Sequence, residues 1–293
     1  MQPEVLAFFH SPTNTVTYLV WDAETKKAVV IDPVLDFEAA SGKVSTDSVH
    51  RVLTAARDRG LKLEWVLETH AHADHLSAGD HIRKLTGTPV AIGSGILEVQ
   101  KTFAPILGVE EVRAGGADFD RLLGDGEQLS LGKLTITVMH TPGHTPACVS
   151  YRIGDAVFVG DTLFMPDFGT ARTDFPGGDA RTLYRSIQKI LALPAQTRIF
   201  VGHDYLPKAK EDGSARKEFA WTTSVEAEKA ENIHVGAGRD EAAFVSMREA
   251  RDATLPTPAL LLAALQVNIR AGALPTADRD GRRFLKLPLN PAL

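Results

Sequence analysis

The 293-residue chain has one cysteine, Cys148. A single thiol rules out an intramolecular disulfide and a cysteine-rich zinc site. No apolar run approaches the ~20 residues that cross a bilayer; the longest, from Ala259 to Leu265, is too short. The first ten residues contain no basic n-region and no arginine-rich amphipathic helix. That leaves the cytoplasm as the expected location. An excess of positive charge is missing too. Lys plus Arg number 32 against 37 Asp plus Glu, a net charge of −5, so neither nucleic acid nor an anionic membrane is an expected partner. Repeats, low-complexity tracts and Pro/Gly/Ser-rich linkers are also lacking.

What is present has the balance of a globular chain, with 44% hydrophobic and 24% charged residues. Thr15 to Trp21 and Lys27 to Ile31 are β-rich runs across a short polar gap, which predicts a hairpin. Residues 46–59 predict a helix, with Val49, Val52, Leu53 and Ala56 on one face. Further strands are expected at 62–67, 89–92, 133–139, 148–153, 155–159 and 198–201. Helices are expected at 76–85 and 179–193, the latter capped by Asp179. Thr257-Pro258 has the cap-then-proline order of a helix start. Strands followed by helices, twice over, predict an α/β sandwich with helices outside two sheets. The expected division is a catalytic unit over residues 1–206 and a helical extension over 207–293 packed on the same domain.

Three histidines and an aspartate crowd the segment after the 62–67 strand: His70, His72, Asp74 and His75. Neutral imidazole and carboxylate are ligands of zinc and iron. If the segment stays extended, His70, His72 and Asp74 share one side and converge, with His75 reaching in from the turn. Three more strand ends deliver a polar residue in the same manner. These are Thr141-Pro-Gly-His144, Gly160-Asp161 and Gly202-His203, where glycine is expected to let backbone approach a ligand. Asp74 and Asp161 buried together would be costly without a cation.

These motifs, in this order, resemble the metallo-β-lactamase superfamily over about residues 5–206. The resemblance implies a four-layer αβ/βα sandwich with metal at one edge. In two-metal hydrolases such as glyoxalase II, the positions of His70, His72 and His144 hold one metal. Those of Asp74, His75 and His203 hold the other, and Asp161 bridges. A second set of motifs points elsewhere in the superfamily. Arg172-Thr-Asp-Phe175, Thr182-Leu-Tyr184 and Asn268-Ile-Arg270 resemble the persulfide dioxygenases. That likeness implies one Fe(II) per chain on His70, His144 and Asp161, with His72, Asp74, His75 and His203 orienting ligands and water around it. It further implies oxidation of a glutathione persulfide by O₂ and water to sulfite and glutathione, and a homodimer. One departure is that Gly169-Thr-Ala171 lacks the cysteine some members carry before this arginine.

Arg172 is the first candidate for gripping the substrate, since a guanidinium matches a carboxylate. Tyr205 and Arg270 are further candidates. The competing role for Arg172 is a salt bridge to Asp174 or Asp167. A dinuclear zinc thioesterase acting on S-acyl-glutathione is the rival function. Cys148, Met165 and the three tryptophans are assigned to packing.

Overall fold

Two sheets form as the β-rich runs require. In a computed structural model, which describes residues 2–207 and 216–290, Glu4–His10 (β1) pairs antiparallel with Thr15–Trp21 (β2). Strand β2 pairs with Lys27–Ile31 (β3), the expected hairpin with its expected ends. Val34–Glu38 (β4) and Lys43–Ser45 (β5) lead into the helix Asp47–Asp58 (α1), which buries Val49, Val52 and Ala56. Lys62–Glu68 (β6) then runs parallel to β3.

The predicted 76–85 helix begins late. Leu76–Ser77 (β7) pairs with β4 in a small sheet, and only Gly79–Thr86 (α2) is helical. Val90–Gly93 (β8), Ile96–Leu107 (α3) and Arg121–Leu123 (β9) follow. The first six-stranded sheet has the order β1-β2-β3-β6-β8-β9.

The second sheet is built from Gln128–Leu131 (β10), Leu134–His140 (β11), Val149–Ile153 (β12) and Ala156–Phe158 (β13). Helix Ala180–Leu191 (α4) intervenes, and Asp179 caps it by accepting from the Thr182 N–H at 2.6 Å. Arg198–Phe200 (β14) and Thr222–Ser224 (β15) complete the sheet in sequential order. Val225–Glu231 (α5), Glu241–Asp252 (α6) and Leu261–Asn268 (α7) follow. Helix α7 starts three residues past Pro258, because the chain through Thr257-Pro258 is still irregular.

Burial makes the layering explicit. Val20, Ile31 and Leu67 of the first sheet meet Leu129, Ile136 and Phe158 of the second in one apolar cluster. Outside the first sheet, Val52, Ile82, Phe103 and Leu265 bring α1, α2, α3 and α7 together. Outside the second, Leu183, Ile187, Val225 and Phe244 join α4, α5 and α6. This is the expected αβ/βα sandwich, and its edge is where the loops after β6, β11, β13 and β14 meet. Cys148 and Met165 are buried, and Trp21, Trp65 and Trp221 are partly buried against the core clusters. No helix among the described residues is long and apolar enough to cross a membrane.

Candidate metal centre

Each ligand candidate sits just beyond a strand end, and local packing fixes its aim. Gly160 has φ +51°, and a Cβ there would lie 2.4 Å from Thr69 Oγ1. Glycine therefore lets the Asp161 turn press on the His70 loop; the neighbour is protein, not the ligand that the sequence reading anticipated. Gly143 has φ +132°, and a Cβ there would meet the Leu183 backbone at 2.3 Å. The turn carrying His144 thus docks directly on α4.

His70, His144 and Asp161 each offer one donor atom, all within 4.8 Å of one another. Asp161 Oδ2 lies 3.9 Å from Nε2 of both histidines. A second trio, His72, Asp74 and His203, meets the same limit, and a third consists of Asp32, Glu68 and His72. The predicted convergence of His70, His72 and Asp74 does not occur. Residues 70–75 leave the extended conformation, so alternate side chains no longer share a side. His72 turns inward instead, placing Nε2 3.1 Å from Asp32 Oδ1 and 4.0 Å from Glu68 Oε2.

The tautomers are set by what each Nδ1 meets. Thr69 Oγ1 donates to Asp32 Oδ2 at 2.8 Å, so it accepts from His70 Nδ1–H at 3.0 Å. His144 Nδ1–H donates to the Arg172 carbonyl at 2.7 Å. His75 Nδ1–H donates to the Leu76 carbonyl at 3.1 Å. In all three rings the lone pair is left on Nε2. Burial, reinforced by the neighbouring imidazoles, holds His70 well below its ordinary value. Burial and His72 hold His75 at about 3. Neutral rings with free lone pairs are what a metal ion needs. His72 differs. Burial lowers its pKa, but Asp32, Asp74 and Glu68 outweigh that and raise it to about 10. Burial and Asp32 push Glu68 up to about 8.

A cation fits this donor set on an independent observation. His72 Nδ1, His75 Nε2, His203 Nε2 and Asp161 Oδ1 are buried without a hydrogen-bond partner. His203 Nε2 is 3.3 Å from Asp161 Oδ1 and 3.5 Å from Asp74 Oδ2. Unpaired buried groups of this kind are costly, and a shared divalent ion removes the cost.

The loop is held from far along the chain. Asn268, buried at the end of α7, donates to the His72 and His75 carbonyls at 2.8 and 2.7 Å and accepts from Ser77 N–H at 2.8 Å. This gives the Asn-x-Arg motif a structural task. Arg270 does not line the cavity described next. Its side chain folds back on the preceding helix α7, Nε donating to the Gln266 carbonyl at 3.1 Å.

The cleft beside the metal residues has a volume of about 320 Å³, within the usual range for small-molecule sites. Phe164, Phe168 and Phe175 give it an apolar wall, and Tyr205 stacks on Phe168 at 4.7 Å. Arg172 lines the cleft, but its fork is already bidentate to Asp174 at 2.6 Å per bond and donates to the Pro256 carbonyl at 2.7 Å. The salt-bridge role weighed for it is the one the structure displays. Arg248, Arg251 and Leu255 also line the cleft. They come from a segment without a recognisable motif; the only signal was helical spacing, with Phe244, Arg248 and Asp252 four residues apart.

The profile of the metallo-beta-lactamase superfamily matches residues 10–203. A "Beta-lactamase hydrolase-like protein" from Xylella fastidiosa is 46% identical over 98% of this chain, which spans 65% of that relative's length. "Glyoxylase B2" from Dictyostelium discoideum is 42% identical, covering 98% of this chain and 96% of its own. The mitochondrial "Persulfide dioxygenase ETHE1" of Mus musculus is 31% identical, over 90% of this chain and 87% of that one. Among solved structures, ETHE1 from Myxococcus xanthus superposes with a TM-score of 0.71 at 32% identity, over 93% of this chain and 100% of its own. With the sandwich, the strand-end ligands and these similarities in agreement, the chain belongs to the metallo-beta-lactamase superfamily.

Proposed function

We propose that the chain is a persulfide dioxygenase holding one Fe(II) on His70, His144 and Asp161. The reaction is glutathione persulfide plus O₂ plus water giving glutathione, sulfite and two protons. Dioxygen takes the four electrons that sulfur loses. The observation that carries this reading is the trio of two imidazoles and one carboxylate, whose donor atoms lie within 4.8 Å of one another while His72 groups with Asp74 and His203 instead. If those three residues held iron, they would leave it able to take O₂ and a sulfur ligand, which is the chemistry the metal would supply.

The chain's own groups have separate tasks. His70 and His144 present Nε2 because Thr69 and the Arg172 carbonyl occupy Nδ1. Asp74, His75 and His203 can hold water or orient ligands beside the trio. The phenylalanine wall keeps bulk water from the sulfur. Tyr205 lines the cleft, and burial raises its pKa above the ordinary value, so its hydroxyl keeps its proton. The similarity to a persulfide dioxygenase supports this reading.

The second reading is a dinuclear zinc thioesterase on S-acyl-glutathione. The His72, Asp74, His203 trio and the greater identity to "Glyoxylase B2" favour it. Metal analysis and oxygen uptake separate the two. About one iron per chain, with O₂ consumed on adding glutathione persulfide and lost in His144→Ala and Asp161→Ala, supports the dioxygenase. Two zinc ions per chain, thioester hydrolysis and no oxygen uptake would overturn it.

A further inference from the structure

Three arginines reach the cleft, and their charges are not equally available. Arg172 is committed to Asp174. Arg248 is 1% exposed and spends its guanidinium on Asp252, at 2.6 and 2.9 Å, and on the Thr170 carbonyl at 3.1 Å. Arg251 lies one turn on from Arg248, in the last turn of α6. It is exposed, and its guanidinium makes no hydrogen bond or ion pair with any described residue. It is therefore the one uncommitted cation among the described residues lining this cleft.

We infer that Arg251 binds the glycine carboxylate of the carrier thiol, making the cleft selective for a substrate with a terminal carboxylate. The inference rests on the thiol-carrier part of the proposed function, which both readings share. Glutathione has two carboxylates. The one at the γ-glutamyl end stands beside an ammonium group, which the unpaired charge of Arg251 would repel. The glycine carboxylate has no such neighbour. A guanidinium can take it through two parallel N–H···O bonds, and the exposed position lets Arg251 do so without surrendering an existing partner. Arg172, by contrast, would have to give up Asp174.

The test uses the metal-loaded, full-length protein and an unreactive probe, S-methylglutathione, alongside the same compound esterified at glycine. Binding is measured by calorimetry. The parent should hold the free acid about tenfold more tightly than the ester. In Arg251→Gln the acid should weaken by about that factor and the acid-to-ester ratio should fall to near one. Arg251→Lys should restore part of the ratio. The proposal is overturned if the parent shows no preference for the acid. It is equally overturned if Arg251→Gln keeps the ratio, or if the ratio collapses in Arg172→Gln alone. Because binding is read without turnover, absence of O₂ uptake would refute the dioxygenase and leave this result standing.

Discussion

Replacing Thr69 by valine removes a hydroxyl and almost nothing else. The shape is kept, so the tight seat against Gly160 survives. Two hydrogen bonds go: the one donated to Asp32 Oδ2 at 2.8 Å and the one accepted from His70 Nδ1 at 3.0 Å. The first involves a buried carboxylate and is worth roughly 1.5–3 kcal/mol; the second adds about 1 kcal/mol. The metal-free variant should therefore lose about 2–4 kcal/mol, seen as a Tm lower by roughly 5–10 °C. The loss at the metal is separate. Without Thr69 the His70 ring has nothing to hold its proton on Nδ1, and groups in this position are typically worth about 10–100-fold in metal affinity. Chelator competition measures the affinity and a thermal melt of metal-free protein measures the stability. Thr69→Ser should recover most of both. A valine variant that keeps metal within about twofold of the parent would refute the proposed chain from Asp32 through Thr69 to His70.

Three further outcomes are expected. Burial pushes the Cys148 thiol up to about 12, so maleimide at pH 8 should label it only after unfolding; labelling of the native protein at the unfolded rate would place it outside the core. His234 accepts the Thr170 N–H on Nδ1 at 3.0 Å, and burial with Arg248, Arg251 and Arg239 holds its pKa at about 3 against an ordinary 6.5. The unfolded chain binds the extra proton between those values, so stability falls as pH drops through that window; the urea midpoint should fall less steeply from pH 7 to 4.5 in His234→Gln, and an unchanged slope would count against this. Asp252 accepts from Arg248 and from Thr173 N–H and Oγ1–H at 2.8 and 3.0 Å; Asp252→Ala should cost about 3–5 kcal/mol in urea unfolding, and the double replacement Arg248→Met with Asp252→Leu distinctly less. Equal losses in the two would show that the stranded charge is not the cause.

Local rules made much of this molecule legible. The hairpin ends, the Asp179 cap and the apolar face of α4 follow from period, capping chemistry and proline placement alone. What escaped is set by distant partners. Leu76 and Ser77 are strand because Leu35 and Val34 of β4 lie beside them, far upstream in sequence. The ligand residues could be recognised by type, but their grouping could not. Once the chain turns after Thr69, the alternation of side chains ends, and Asp32 competes for His72. Arg172 was a sound candidate by chemistry, yet Asp174, two residues on, already satisfies it. Arg248 and Arg251 are periodic helix residues until α6 is laid against the cleft, so their place in the site exists only in three dimensions.

The Asn268 clamp carries a consequence for biogenesis. Translation proceeds from the amino end, so all seven candidate metal residues leave the ribosome before the amide that fixes the loop carrying four of them. Until α7 arrives, the His72 and His75 carbonyls lack their native partner. Metal acquisition should therefore mature late, once nearly the whole polypeptide is made, and a chain cut short before residue 268 would carry every ligand yet hold the ion loosely.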